Sequence, residues 1–290
     1  MKLGAISFMT DYSIAPTEFA RELEAHGYES LWVGDHSHIP VISKWRGGDL
    51  GGEPLRMYKH LLDPVVALAL AATASEELLL GTGMLLLSQR DPIATAKAAA
   101  TLDFVSGGRF LLGVASGWNT RQLENHGTDP KRRWAVLEER LTAMRAIWGE
   151  EVAEHHGEFV EFSPLLAWPK PSPSMPVIIG CDPGNLRRVV AHGDGWGPLL
   201  DAPPGPELGE QIATLGRLAA EAGRGEIPVT VFRVTPAIAE LELGSGLEVR
   251  AEELEAYREA GVERVVLNLP PERERMLPLL EHYAGLAVPR

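Results

Sequence analysis

A single cysteine, Cys181, stands among 290 residues, so no internal disulfide can form. An excess of positive charge is missing too. Asp and Glu number 40 against 27 Lys and Arg, a formal net charge of -13, which argues against nucleic acid or an anionic membrane as partner. No apolar run reaches membrane length. The opening stretch MKLGAISFMTDY has neither the long apolar core nor the cleavage site of a signal peptide, and the cytoplasm is the expected compartment. Low-complexity tracts and a flexible interdomain linker are absent. So is a Gly-rich turn after the first strand, where the chain reads Met9-Thr10-Asp11-Tyr12-Ser13, and a dinucleotide-binding open sheet thereby loses its fingerprint.

What is present is a strand–helix rhythm, clearest between Leu78 and Gly117. LLLGTGMLLL and RFLLGVASGW read as strands buried on both faces, and DPIATAKAAATLDFVSGG between them has apolar residues at helical spacing and ends in a Gly pair. Two such strands joined by a helix make a parallel βαβ unit. Both change from large aliphatics to Gly, Ser and Thr where they emerge, the end at which α/β folds hold ligands. The rhythm continues along the chain and gives eight strands alternating with eight helices. The expected fold is one α/β domain over residues 1–290, a (β/α)8 TIM barrel. Two long insertions are expected: a lid after strand two, within Ser37–His60, and a Pro-rich excursion before strand five, within Gly149–Ser174, expected to lack regular structure.

With the barrel in place, particular segments carry a family resemblance. Gly27-Tyr28-Glu29-Ser30-Leu31-Trp32-Val33-Gly34-Asp35-His36 resembles the second-strand motif of the luciferase-like monooxygenase superfamily. LGTGMLLLSQRDPIATAKAAATLDFVSGGRFLLGVASGW looks like its third and fourth strands. HGEFVEF, a Pro-rich stretch, PVIIG, a helix with paired arginines and Gly193-Asp194-Gly195-Trp196 are similar to its fifth and sixth units. The likeness holds over roughly residues 1–200 and is strongest to the branch using the deazaflavin coenzyme F420. It implies an oxidoreductase moving a hydride between F420 and a small organic substrate, or else an FMN monooxygenase using reduced flavin and oxygen, with the ring in the barrel mouth over strands three and four; a non-catalytic flavin-binding member is the further alternative. It also implies a non-prolyl cis peptide near Gly83-Met84, and pairing as a homodimer through outer helices.

The resemblance implies that His36 handles a proton beside the ring and that Asp35 contacts the ring or orients neighbours. A histidine titrates near neutrality and suits that task; the bland alternative is a strand-end pair that satisfies local backbone. His36-x-His38 also fits a metal-hydrolase strand end, but Ser116, Asn119, Cys181, Asp182 and Asn268 do not complete a ligand set, and no metal is expected. Ser116, Gly117 and Asn119 either admit the ring edge or form a plain strand-to-helix turn on which Trp118 packs. Gly180, Cys181 and Gly184, before the helix with Arg187 and Arg188, suit a cofactor phosphate, with Asp182 the awkward charge. Cys181 is a poor nucleophile, since no histidine is placed to activate it. Arg90 and Asp91 either line the mouth or cap the third helix. Lys44, Trp45 and Arg46 either meet an acidic ligand or lie on a solvated loop.

Overall fold

The computed structural model describes residues 1–41, 56–173, 175–201, 203–234 and 249–286. Its first elements are β1 (Lys2–Ser7), α1 (Pro16–Ala25), β2 (Ser30–Val33), a short α2 (Arg56–Lys59), α3 (Pro64–Ala72), β3 (Leu79–Thr82), β4 (Leu85–Leu86), α4 (Pro92–Val105), β5 (Phe110–Ala115), α5 (Thr120–Asn125) and α6 (Arg133–Gly149). A hairpin follows, β6 (Ala153–His156) and β7 (Glu161–Leu165). The chain then runs through β8 (Val177–Ile179), α7 (Leu186–His192), β9 (Gly195–Trp196), β10 (Leu199–Leu200), α8 (Pro206–Glu221), β11 (Thr230–Arg233), α9 (Ala251–Glu259), β12 (Arg264–Leu269) and α10 (Arg273–Leu286). Helix starts follow local chemistry. Proline opens α1, α3, α4 and α8, and Asp63 and Asp91 cap α3 and α4 by accepting N–H bonds from Val65, Val66 and Ala94.

The main sheet is parallel, in the order β10-β11-β12-β1-β2-β3-β5-β8-β9, with β4 also on β5. Its ends approach each other. Trp196 of β9 bridges to Val229, just before β11, and its N–H reaches Pro228 O at 3.0 Å. The sheet is therefore curled, in the manner of a TIM barrel, with helices outside. One strand row faces the helices: Ala5, Leu31, Val33, Leu80, Leu112 and Ile179 belong to the large core cluster. The alternate row faces inward, where Ile6, Trp32, Leu111, Ile178, Phe232 and Val266 form a second cluster.

Trp32 fills the centre of this inner layer and is fully buried. Its neighbours must be small. A Cβ at Gly81 would stand 2.2 Å from the Trp32 ring, and one at Gly4 would stand 2.5 Å from Ser30 Oγ. Beneath the indole lie Arg264, 6.0 Å from the ring, and its carboxylate partner Glu29.

Two expectations change. The excursion before strand five is not irregular throughout, because β6 and β7 pair antiparallel within it. Glu139 of α6 fixes their turn by accepting the N–H groups of Glu158, Phe159 and Val160 at 3.1, 2.8 and 2.7 Å. Pro164 falls where the ladder register shifts, a place that tolerates a missing donor. Strand three, expected as one run, is broken into β3 and β4 by a cis peptide between Gly83 and Met84, at the bond the resemblance indicates. Lid residues 42–55, with Lys44, Trp45 and Arg46, lie outside the described residues.

Replacing Gly81 by Ala is expected to destabilise the protein by about 3 kcal/mol, because the methyl would collide with an immobile indole. Gly216→Ala, at an exposed site within α8 where a Cβ meets nothing, is expected to stabilise it by about 0.5–1 kcal/mol. Urea midpoints of the two variants check both.

Candidate active site at the barrel mouth

Two adjacent residues leave β2 in opposite directions. Ser30 and Trp32 share the inward row, since Trp32 Nε1–H donates to Ser30 Oγ at 2.9 Å. Counting on by two brings Gly34 and His36 to the same side, above Trp32. His36 is 8% exposed. Its ring meets the edges of Tyr58 and Trp118 at centroid distances of 4.9 and 5.7 Å. Its Nδ1 lies 2.9 Å from Gln122 Oε1, an acceptor, so Nδ1 carries the hydrogen and Nε2 presents a lone pair. Burial pushes the His36 pKa below the ordinary histidine range, with the Gln122 bond and the Asp35 charge pulling the other way. His36 is thus held neutral at pH 7, in a tautomer that accepts a proton at Nε2.

Asp35 points outward and does not face the mouth. Its carboxylate accepts Leu86 N–H at 2.9 Å and takes both arms of Arg90, Nε at 2.9 Å and Nη2 at 2.8 Å. Arg90 Nη2 also reaches Asp63 Oδ2 at 2.9 Å, which ties strand two to the caps of α3 and α4. Of the two sequence alternatives for Arg90 and Asp91, Asp91 caps α4 and Arg90 clamps Asp35. Asp35 therefore orients neighbours: it fixes the backbone two residues beyond the Gly83-Met84 bond.

Met84 forms part of the mouth floor. Cβ atoms at Gly113, Gly180 and Gly197 would stand 2.8, 2.8 and 2.5 Å from its side chain. The small residue at Gly180 thus makes room for the protein's own thioether. Gly83 is held just as closely, with Ile6 Cδ1 and Phe232 Cε1 each 3.0 Å from a Cβ built there.

The remaining predicted residues divide by row and partner. Ser116 gives its carbonyl to Ser88 Oγ–H at 2.5 Å. Gly117 has φ +78, a conformation that favours glycine, and a Cβ there would meet Gln89 Nε2 at 2.8 Å. Asn119 caps α5 by accepting Gln122 N–H at 3.1 Å, and so helps position the residue that holds His36. Cys181 lies in the helix-facing core, with its thiol pKa pushed up to about 12 by burial and then by Asp182. Its carbonyl accepts Trp196 Nε1–H at 3.0 Å. Gly184 sits in an exposed turn, and Asp182 makes no capping bond to the helical turn after it. Arg188 is committed to Glu138, Asn185 and the face of Trp134, whereas Arg187 is exposed.

Sequence reasoning missed Gln122, Tyr58 and the role of Asn268. Gln122 lies 86 positions from His36, and nothing local marks it. Asn268 follows Val266 by two on β12 and so takes the inward row. Both its amide atoms are buried without a hydrogen-bond partner, as are Gln89 Nε2 and Gln122 Nε2. Among the described residues no three His, Cys, Asp or Glu side chains come together as a metal site.

Residues 15–242 match the luciferase-like monooxygenase family. The chain belongs to that family. An uncharacterized protein of Mycobacterium tuberculosis is 36% identical over 277 residues, 93% of this chain and 92% of its own. The F420-dependent glucose-6-phosphate dehydrogenase of Kineococcus radiotolerans is 27% identical over 183 residues, 62% of this chain and 50% of that protein. An F420-dependent secondary alcohol dehydrogenase solved with an F420-acetone adduct superimposes with a TM-score of 0.75 at 17% identity, covering 99% of this chain and 98% of that one. This luciferase-like chain thus shares its fold with an oxidoreductase, and its family is one of oxidoreductases and monooxygenases. No helix among the described residues is long and apolar enough to cross a membrane.

An NMR titration of His36 is expected to show a midpoint below 6.5. Gln122→Leu removes a bond that favours the charged ring and is expected to lower the midpoint further. Gln122→Glu supplies an anion and is expected to raise it.

Proposed function

We propose that the protein is an F420-dependent oxidoreductase of the luciferase-like type, with the deazaflavin in the mouth of an eight-stranded barrel and a small organic molecule as substrate. The observation that carries this reading is the His36–Gln122 pair, a neutral, desolvated proton acceptor at the mouth end of β2. The F420-dependent relative at 27% identity supports the deazaflavin over FMN.

The residues present fit a planar lactam-bearing ring. Gln89 Nε2 and Gln122 Nε2 are buried donors lacking partners. With Met84 they would hold the ring, which when bound supplies a carbon that gives or receives hydride. Arg187, beside the turn at Gly184, would meet the cofactor phosphate in place of the committed Arg188. His36 takes a proton at Nε2 when neutral and returns it when charged. Gln122 keeps Nε2 turned away from itself, Asp35 and Arg90 brace the Gly83-Met84 turn, and Tyr58 and Trp118 wall the ring from water. Such positioned proton transfer contributes about 10²–10⁴-fold.

Titration of the purified protein with F420 and with FMN, followed by fluorescence, tests the reading. Tight binding of F420 alone is expected, whereas binding of FMN alone would turn it toward a flavin monooxygenase. His36→Asn is expected to keep F420 affinity and lose turnover by at least about 100-fold. A variant with full turnover would remove His36 from the chemistry.

We also propose a homodimer through α3 and α4. Helix α3, PVVALALAA, is apolar on all sides, with Val66 63% and Leu70 47% exposed. On α4, Phe104 is 70% exposed, and α4 Lys97 reaches the carbonyl of exposed Trp168. A helix apolar all round calls for cover on its outer face, and a second copy supplies a matching one. Light scattering is expected to give twice the chain mass, and Val66→Glu with Phe104→Glu the single mass.

A further inference from the structure

Asn268 stands apart from the other buried polar groups. The carboxamide is 8% exposed, and neither Oδ1 nor Nδ2 has a hydrogen-bond partner. An asparagine kept for structure would be paired, because an unmet buried amide is costly. Ser7 Oγ is also unpaired, but Ser7 lies on the helix-facing row of β1. Asn268 takes the inward row, one step beyond Val266 toward the mouth; it pairs with Ile6 across the β12–β1 ladder, and Phe232 pairs with Val266 one step below.

Its surroundings are apolar and uncharged. Phe8, Gly34, Met84, Gly180 and Gly197 occupy inward positions at the same end. No Asp, Glu, Lys or Arg among the described residues takes an inward strand position at this level. Asp35 and Arg90 are turned outward onto each other, and Arg264 is sealed beneath Trp32. An anion or cation entering here would lose its water and find no counter-charge. A neutral molecule with one polar function would find a matching group in the Asn268 carboxamide.

We propose that Asn268 is the residue that reads the substrate, and that the substrate is a neutral, largely apolar molecule interconverted between ketone and secondary alcohol. The substrate pair, though not the binding role, rests on the redox reading above. Ketone and alcohol differ by one hydride on carbon and one proton on oxygen. The ketone oxygen only accepts, whereas the alcohol hydroxyl also donates. A carboxamide offers N–H to the first and C=O to the second from one place, which neither a carboxylate nor an ammonium group can do. Asn268 touches substrate and takes no proton; His36 keeps that task.

The test uses the full chain, without cofactor and with F420, and three probes: cyclohexanone, methylenecyclohexane and cyclohexanecarboxylate. Ligand-observed NMR is expected to show cyclohexanone bound about tenfold more tightly than methylenecyclohexane, and the carboxylate excluded. Asn268→Leu is expected to erase the ketone preference and leave F420 affinity unchanged. The same variant is expected to raise Tm by about 2–4 °C, since two orphaned polar atoms are removed. Equal binding of the two neutral probes by the unaltered protein, a preference that survives in Asn268→Leu, or a lower Tm in that variant would overturn the proposal. Tenfold weaker F420 binding by Asn268→Leu would assign the carboxamide to the ring edge and overturn it as well. If the ketone preference holds while neither F420 nor FMN binds, Asn268 stands and the redox reading fails.

Discussion

An indole inside a narrow barrel sets the terms for everything above it. Trp32 has no exposure, donates to Ser30, and takes the edge of Phe232 at a centroid distance of 5.1 Å and an interplanar angle of 88°. Close-packed interiors transmit such a constraint rather than absorb it. Gly81 is small because the ring occupies its side-chain space, and Gly4 because the Ser30 hydroxyl that holds the indole N–H occupies its own. Phe232 and Ile6 in turn press on Gly83, where the third strand breaks and Met84 lies over Gly113 of β5, Gly180 just after β8 and Gly197 in the β9–β10 bend. The mouth therefore rests on a layer of packed side chains.

Charge is kept out of that mouth by the alternation of β2. Asp35 and His36 are neighbours in sequence, yet one serves the helix-facing side and the other the interior. The carboxylate is satisfied outward by Arg90 and Leu86 N–H, and the imidazole is left inward, neutral and desolvated. A charged Asp35 beside His36 would draw a proton onto the ring. Turned onto Arg90, its field is partly cancelled and burial prevails. The carboxamides of Gln89, Gln122 and Asn268 are buried with unpaired atoms and carry no net charge. The hydride chemistry, proton exchange and neutral substrate proposed above would share one requirement, a site from which water and counter-ions are excluded.

The strand–helix alternation was legible because parallel strands buried on both faces are unbroken apolar runs and helices between them carry their own period and caps. The helix read in DPIATAKAAATLDFVSGG is α4, Pro92–Val105. The hairpin at β6–β7 was not legible, since its turn is fixed by Glu139, a residue on a preceding helix. The Cys181 thiol was linked to the mouth by its place after strand β8, but the side chains of Val177, Ile179 and Cys181 all belong to the helix-facing core. That assignment could have been reached by counting in twos from the inward Ile178. The Gln122 bond to His36 has no such local signature.

The sequence by itself determined the alternation of buried strands and helices, the family and the residues with chemistry to offer. Only the tertiary structure decided which of two neighbours faces the mouth, and which amide, 86 positions away, holds the imidazole. The reason is physical. A period of two says that adjacent side chains oppose each other, but not which side becomes the interior until the sheet curls. Hydrogen bonds between distant elements have no spacing to read at all.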